Sequence, residues 1–244
     1  MSLELITPDW PAPARVKALS TTRLGGLSGG SYASLNLAAH VGDVAGDVER
    51  NRAILGERLP MEPLWLEQVH GATVVNAAST CPGAQADASV ARMAWRICSV
   101  MTADCLPVLF CDEAGTAVGA AHAGWRGLAA GVLENTVQAM KVPAGSVLAW
   151  LGPAISQAAF EVGDEVREAF IGHLPETAVA FLPGREKGKW QADLYQLARI
   201  RLAAIGVVRL YGGTRCTFRE SGVFFSARRD GTRSGRQASM IWLE

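Results

Sequence analysis

Lysine and histidine are both rare in this sequence. Each occurs four times in 244 residues, and arginine supplies the other nineteen of the 23 basic residues. The 23 acidic residues balance the basic ones, so the formal net charge is zero. Proteins that bind nucleic acid through bulk electrostatics carry a marked basic excess, which this chain lacks. We therefore expect no nucleic-acid partner.

Long apolar runs, a secretory leader and paired cysteines are also missing. No run approaches the roughly 18–20 apolar residues of a membrane span. The N-terminal MSLELITPDW has neither the basic start nor the apolar centre of a secretory signal. The cysteines are odd in number and form no CxxC pair, which indicates free thiols. We expect a cytoplasmic protein without membrane contact, whose cysteines are Cys81, Cys98, Cys105, Cys111 and Cys216.

The remaining composition favours a folded domain with a large core. Hydrophobic residues make up 49% of the sequence and charged residues 19%, which suits one domain over residues 1–244. Strand-like and helix-like patterns alternate irregularly, and several strands look hairpin-connected, so the pattern predicts an α+β fold with mixed sheets. Within it, RGLAAGVLENTVQAMK predicts one helix whose mainly apolar face is Leu128, Val132, Thr136 and Met140.

The segment TADCLPVLFCDEAGTAVGAAHAGWRG predicts a hairpin that brings a cysteine and a histidine together. If the loop is DEAG, Cys111 faces Thr116, and Cys105 lies directly opposite His122. Opposed residues have Cβ atoms about 4.5–5.5 Å apart, so these two can share a metal ion or form a thiolate–imidazole pair. A bulge at the proline of this segment would shift the register. A small buried cysteine beside a core histidine is the alternative without chemistry.

A catalytic zinc site needs a third protein ligand and an open position. His70 is the best candidate, because it lies at a turn and the glycine after it lets the backbone approach closely. His40 is the second choice, and His173 suits a cap at a helix end. Asp104 is the strand neighbour of Cys105 and points to the opposite face, which favours a structural role.

Arginines in loops are candidates for binding phosphate, since a guanidinium can form two parallel hydrogen bonds to it. The candidates are Arg23 in the Gly- and Ser-rich residues 21–43, Arg126 at a helix start, and Arg228, Arg229 and Arg236 near the C terminus. Asn36 either bonds a ribose hydroxyl or caps a turn. The Gly-rich residues lack the G-x-x-x-x-G-K-[ST] spacing of a phosphate loop.

Seven segments, in order over nearly the whole chain, carry a family resemblance: TTRLGGLSGGSYASLNLAAHVGD, WLEQVHG, TADCLPVLF, AAHAGWRG, LGPAI, DLYQLARIRL and FFSARRDGTRSGRQASMIWL. Together they resemble the YfiH/laccase-domain family. The resemblance implies an α/β/β/α sandwich. It also implies a zinc ion bound by His70 of QVHG, Cys105 of TADC and His122 of AHAGWRG.

The resemblance further implies a zinc-dependent enzyme that acts on purine nucleosides. The implied reactions are phosphorolysis of adenosine, inosine, guanosine and methylthioadenosine, and deamination of adenosine. We expect the small-molecule substrate to be a purine nucleoside with phosphate, and the protein to be a monomer or homodimer. The residues expected to act in catalysis are Cys105, His122 and Arg23. Those expected to bind substrate are Arg23, Asn36, Arg228 and Arg229.

Three other functions stay open. Two histidines and a cysteine, with a weak axial ligand such as Met101, also suit copper, and older family labels name a polyphenol oxidase or laccase. Four histidines are too few for the trinuclear cluster that a multicopper laccase also needs. Some family members are described as peptidoglycan editing factors, so a metal-free hydrolase with Cys105 as nucleophile and His122 as base is the second alternative. A binding module without catalysis is the third.

Overall fold

The computed structural model describes residues 3–244, and these contain thirteen strands and six α-helices. The strands are β1 (Leu5–Ile6), β2 (Val16–Thr21), β3 (Val74–Asn76), β4 (Ala88–Ala91), β5 (Cys98–Thr102), β6 (Leu106–Asp112), β7 (Val118–Ala123), β8 (Val147–Leu151), β9 (Glu161–Gly163), β10 (Phe181–Pro183), β11 (Lys189–Ala192), β12 (Arg209–Gly212) and β13 (Gln237–Leu243). The helices are α1 (Ala45–Gly56), α2 (Trp125–Ala129), α3 (Val132–Met140), α4 (Asp164–Ile171), α5 (Leu194–Ala204) and α6 (Ala227–Asp230). None of these helices is long and apolar enough to cross a bilayer.

Two sheets form the centre of the molecule. The larger has the order β12-β8-β6-β7-β4-β3, with a parallel pair at each edge and antiparallel pairs between them. The smaller, β1-β2-β13-β5, is antiparallel throughout. Three short strands form a separate antiparallel sheet, β10-β11-β9. The mixed pairing of the larger sheet is what the irregular strand and helix order predicts.

Three apolar clusters define four layers. The cluster between the two sheets contains Leu109 and Leu148 of the larger sheet and Val100 and Ile241 of the smaller one. A second cluster packs the other face of the larger sheet against α3, α4 and α5. A third packs the outer face of the smaller sheet against α1, where Leu55 is fully buried. This order of helices, sheet, sheet and helix confirms the predicted α/β/β/α sandwich.

The hairpin of β6 and β7 forms, but the predicted register is wrong by two residues. Cys111 pairs with Val118 rather than with Thr116, and His122 pairs with Pro107 rather than with Cys105. The cause is the side chain of Asp112, the residue before the turn. The Asp112 carboxylate accepts hydrogen bonds from the backbone N–H of Thr116 at 2.6 Å and from that of Ala117 at 2.7 Å. The turn therefore lies one residue later, at residues 113–116.

The error in register does not separate the cysteine from the histidine. Side chains alternate between faces with a period of two, so a shift of two residues keeps each on its face. Cys105 lies in the bend between β5 and β6, and the histidine lies diagonally from it on β7. Cys111 is fully buried in the cluster between the sheets, away from this pair.

The single helix predicted over RGLAAGVLENTVQAMK is two helices. Gly131 has a φ of 93°, a left-handed conformation that favours glycine and ends α2 before α3 begins. The predicted apolar face is confirmed, because Leu128, Val132, Thr136 and Met140 are all fully buried. Thr136 is accommodated there because its hydroxyl donates to the Val132 carbonyl at 2.6 Å.

Candidate metal centre

Three side chains that can ligate a metal meet at one end of the sandwich. His70, Cys105 and His122 each offer one ligand atom, and these atoms all lie within 4.8 Å of one another. The Cys105 Sγ is 3.9 Å from the His70 Nε2. The two imidazole rings are 4.8 Å apart between centroids and inclined by 72°. The three come from separate segments: a bend before β3, the bend before β6, and β7 itself.

A buried carboxylate holds the bend that carries His70. Asp87 is fully buried, and its oxygens accept hydrogen bonds from three consecutive backbone N–H groups. These belong to Val69 at 3.2 Å, His70 at 2.9 Å and Gly71 at 2.6 Å. His70 has a φ of 60°, which is uncommon for a residue other than glycine. The Asp87 contacts fix this conformation and leave the imidazole exposed toward the cluster.

The same carboxylate orients the other histidine. The Nδ1 of His122 lies 2.8 Å from the Asp87 Oδ1, and both groups are buried. Donation from Nδ1 leaves Nε2 as the nitrogen that can bind a metal, an arrangement that recurs at metal-ligating histidines. Although burial acts to raise the pKa of Asp87, the hydrogen bonds from His122 and from the backbone lower it overall.

Asp87 is the functional residue that the sequence interpretation missed. Its local sequence, QADASVA, shows one acidic residue immediately before a short apolar strand. Charged residues are almost never fully buried without partners, so an aspartate in an apolar stretch was the available signal. Its partners lie 16 to 35 positions away, which no local pattern reveals.

The thiol and the buried imidazole shift each other's titration. Burial acts to raise the pKa of Cys105, but His122 and His70 lower it to about 6. Burial acts to lower the pKa of His122, but Cys105 and Asp87 raise it to about 9. In metal-free protein at neutral pH the pair is therefore a thiolate beside an imidazolium. A metal ion would take the thiolate as a ligand and release the imidazolium proton.

Two glycines of the AHAGWRG segment let the backbone approach this cluster. A Cβ on Gly124 would lie 2.9 Å from the Cys105 Sγ and 3.1 Å from the His70 Cδ2. A Cβ on Gly127 would lie 2.6 Å from the Gly71 carbonyl oxygen. Real Cβ atoms do not make contacts this short, so a side chain at either position would displace the cluster or its bend.

A cavity of about 250 Å³ opens beside the cluster. Small-molecule sites span roughly 300–1,000 Å³, so this cavity is slightly smaller than most. The residues that line it are His40, Gln68, His70, Met101, Thr102, Ala103, Cys105, His122, Ala227, Thr232 and Arg236. Of the five arginines proposed from the sequence, Arg236 alone lines it, within the part of the chain that the structure describes.

Arg23 lies outside this cavity wall. Its Nε donates to the Ala33 carbonyl at 2.8 Å, and its Nη1 donates to the Ser221 carbonyl at 2.9 Å. Its guanidinium also stacks over the Phe225 ring at 4.8 Å. These contacts join the Gly-rich residues 21–43 to the C-terminal loop. Arg126 is exposed and stacks on its neighbour Trp125 at 4.4 Å.

Asn36, Arg228 and Arg229 also make structural contacts outside the cavity wall. The Asn36 amide is fully buried and bonds within its own loop and to the backbone N–H of Arg236 at 3.0 Å. The Arg228 Nη1 donates to the Glu161 carbonyl at 3.1 Å. The Arg229 guanidinium donates to the carbonyls of Thr217, Phe218 and Phe224 and to the Asp230 carboxylate.

Asp104 fastens the C-terminal loop beside Cys105. Its Oδ1 accepts from the Thr217 hydroxyl at 2.6 Å. Its Oδ2 accepts from the Ser226 hydroxyl at 3.0 Å and from the backbone N–H of Arg228 at 2.6 Å. These three bonds agree with the structural role that the sequence favours for Asp104. They also bring α6 and the residues after it over the cavity.

The cysteines differ sharply in expected reactivity, which gives a first testable prediction. Cys98 and Cys111 are fully buried, and burial raises the pKa of each thiol to about 12, whereas that of Cys105 is about 6. Because the thiolate is the reactive form, we expect iodoacetamide to modify Cys105 in metal-free protein at pH 7. The rate of this reaction should fall below pH 6. Cys98 and Cys111 should react only after unfolding.

Tandem mass spectrometry measures this difference, because Cys98, Cys105 and Cys111 lie on one tryptic peptide, residues 97–126, and fragmentation identifies which of them is modified. Cys81 is exposed and serves as an internal control for reagent activity. Adding zinc before the reagent should protect Cys105 and leave the labelling of Cys81 unchanged. Equal labelling of Cys105 and Cys98 in folded protein would contradict the electrostatics described above.

The fold and the cluster together define a candidate metalloprotein, and comparisons with known proteins give its family. A family model described as "Multi-copper polyphenol oxidoreductase laccase" matches residues 17–244. The purine nucleoside phosphorylase of Pseudomonas aeruginosa is 56% identical over 239 residues, with 98% of both chains covered. The purine nucleoside phosphorylase YfiH of Escherichia coli K12 is 54% identical over 243 residues, covering 98% of this chain and 99% of the relative.

Solved structures give the same result. A Neisseria meningitidis protein of the DUF152 family is 58% identical and superposes with a TM-score of 0.94, covering 98% of this chain and 99% of that one. YlmD of Geobacillus stearothermophilus is 32% identical, with a TM-score of 0.87 and coverage of 96% and 94%. This chain belongs to the laccase-like YfiH family, which confirms the resemblance in its sequence.

Proposed function

We propose that this protein is a zinc-dependent purine nucleoside phosphorylase. The observation that carries the proposal is the cluster of His70, Cys105 and His122 on the wall of a small-molecule cavity. Relatives more than 50% identical over the full chain are named purine nucleoside phosphorylases. The substrates proposed are adenosine, inosine, guanosine and methylthioadenosine, each with phosphate.

The donor set suits zinc. One thiolate and two imidazoles are ligands that zinc prefers, and three protein ligands leave a fourth position open toward the cavity. Asp87 supplies the outer contact that orients His122, as is usual at such sites. Met101, the residue considered as an axial copper ligand, packs in the apolar cluster under α1. When bound, zinc would act as a Lewis acid and polarise an oxygen atom of a molecule in the cavity.

The proposed reaction exchanges the base for phosphate at the ribose. A phosphate oxygen forms a bond to C1′ while the bond from C1′ to N9 of the purine breaks. The electron pair leaves with the base, which takes up a proton from phosphate, and the products are the free purine and the sugar 1-phosphate. In this proposal Cys105, His70 and His122 hold the metal, and Arg236 is the arginine placed to meet phosphate. Arg23, Asn36, Arg228 and Arg229 shape the surrounding loops.

Three other reactions remain as outcomes to be tested. In adenosine deamination, water adds at C6, the bond to the amino group breaks and ammonia leaves. Polyphenol oxidation by copper is favoured by the description of the family model, and the four histidines of the sequence argue against a trinuclear copper cluster. A hydrolase that uses Cys105 without metal would be insensitive to chelators and sensitive to alkylation.

A product assay separates these reactions. Purified protein is incubated with adenosine, inosine or methylthioadenosine, with and without phosphate, and the products are resolved by liquid chromatography. We expect free purine and a sugar 1-phosphate in equal amounts, formed only when phosphate is present and lost on chelation. Free base without a phosphate requirement would refute the phosphorylase, and inosine with ammonia from adenosine would show deamination. Incubation of copper-loaded protein with a phenol tests the polyphenol oxidase alternative.

A further inference from the structure

One hydroxyl on the cavity wall has no partner. Thr102 is the last residue of β5 and is 2% exposed. Its Oγ1 is buried and makes no hydrogen bond within residues 3–244. Unpaired buried hydroxyls are costly and rare in native structures, so a partner for this one is expected. Thr102 lines the cavity, so a rotation about its Cα–Cβ bond can bring the hydroxyl to a molecule bound there.

The only arginine of the cavity wall, within the described residues, lies immediately before the neighbouring strand. Arg236 immediately precedes β13, whose first residue, Gln237, pairs with Thr102. Its Nη1 donates to the carbonyls of Ser234 at 2.7 Å and Gly235 at 3.0 Å. These bonds fix the guanidinium in place, but carbonyl oxygens do not neutralise its charge.

No carboxylate in residues 3–244 forms an ion pair with this arginine. Asp104 is close enough to interact with its charge, but the oxygens of Asp104 already accept three hydrogen bonds. Arg236 is therefore a half-buried cation whose charge faces the cavity.

The rest of the lining leaves this charge unopposed. Neither aspartate nor glutamate lines the cavity among the residues described, and Cys105 is a ligand for the metal. A concave surface that carries a positive charge and no carboxylate concentrates anions. The cavity thus favours an anion.

We propose that Thr102 and Arg236 form the subsite that holds the phosphate, with the hydroxyl donating one hydrogen bond and the guanidinium supplying the charge. This inference rests on the proposed phosphorylase function. It assigns phosphate, the second substrate, to the part of the cavity lined by Thr102 and Arg236. Met101, Thr102 and Ala103 are consecutive and all line the cavity, so the subsite extends across the end of β5. The nucleoside then occupies the remaining space.

The test compares variants that differ in one donor. Thr102→Val removes the hydroxyl and keeps the shape, and Thr102→Ser keeps the hydroxyl. Arg236→Gln removes the charge. Arg185→Gln changes an exposed arginine in the turn between β10 and β11 and serves as the matched control. Thermal unfolding of each protein shows whether it is folded.

Two measurements are made on zinc-loaded protein. Phosphorolysis gives separate KM values for phosphate and for inosine, and titration calorimetry gives the Kd of inorganic phosphate without turnover. We expect Thr102→Val to raise both phosphate constants about tenfold and Arg236→Gln about a hundredfold, the usual effects of losing a bond to a charged group. The KM for inosine should stay within twofold, and Thr102→Ser and Arg185→Gln should resemble the wild type.

The outcomes separate the two proposals. If the wild type binds phosphate but performs no phosphorolysis, the phosphorylase proposal fails, and the subsite is judged by calorimetry alone. If Thr102→Val and Arg236→Gln raise the KM for inosine instead, these residues face the nucleoside and the subsite is wrong. If the wild type does not bind phosphate, or if both variants bind it normally, the subsite is also refuted. If Thr102→Val fails to fold, the phosphate constants of Arg236→Gln decide whether the subsite is correct.

Discussion

We expect Cys105→Ala to give a folded protein that binds zinc more than about 100-fold more weakly than the wild type. This loss exceeds the one that follows when a group that only hydrogen-bonds to a metal ligand is removed. The reason is that two neutral imidazoles remain after the single anionic ligand is removed. Cys105 lies in a bend and is only partly buried, so the loss of its sulfur leaves no cavity in the core. Phosphorolysis should fall to the background level, while the melting temperature of metal-free protein changes little.

Cys81→Ala is the matched control. Cys81 is exposed and lies outside the cavity wall, so its loss should change neither zinc content nor activity. Zinc content is measured by elemental analysis after gel filtration, and affinity by competition with a chromophoric chelator. Full zinc content in Cys105→Ala would show that zinc is held elsewhere in the protein.

Asp87→Asn lowers zinc affinity by about 10- to 100-fold, the usual cost of losing the outer contact of a metal-ligating histidine. The carboxylate accepts from three backbone N–H groups and contacts His122. An amide has one oxygen and an NH2 group, so at least one of these donors would face another donor. The bend carrying His70 would loosen, and His122 would lose its fixed tautomer. Both ligands would then be positioned less well.

Asp112→Asn makes the control for this change. Asp112 is also buried, and its carboxylate likewise accepts three hydrogen bonds from its own turn, two from Thr116 and one from Ala117. Asp87→Asn should lower the melting temperature, because it leaves buried donors unpaired. Asp112→Asn should change it less, because an amide oxygen can accept both backbone N–H groups while the NH2 group donates to the Thr116 hydroxyl. Zinc affinity should fall in Asp87→Asn alone. An equal loss in both, or unchanged affinity in Asp87→Asn, would mean that Asp87 only stabilises the fold.

The proximity of Cys105 and His122 was accessible from sequence because it depends on local rules. Alternating side chains and a short turn bring two residues of one hairpin to the same face. The exact register was not accessible, because it depends on how the Asp112 side chain bonds the turn. An error of two residues kept both side chains on one face, whereas an error of one would have separated them.

The rest of the site depends on distant contacts. His70 lies 35 positions before Cys105, and the residues alone left His40 as an alternative until the family resemblance was considered. The sequence around Asp87 indicates an aspartate in an apolar stretch, but its partners lie 16 to 35 positions away and meet it only in the folded chain. The roles of arginines are also set by tertiary structure. Arg23 and Arg229 bond to backbone carbonyls of neighbouring loops, and this cannot be seen in a sequence that contains nineteen arginines.

A zinc titration of metal-free protein, followed by phosphorolysis of inosine, tests the central claim most directly. The account predicts that activity rises in proportion to added zinc and levels off at one zinc per chain, with no response from Cys105→Ala. Full activity in chelator-treated protein before zinc is added would contradict it, and so would activity restored by copper but not by zinc.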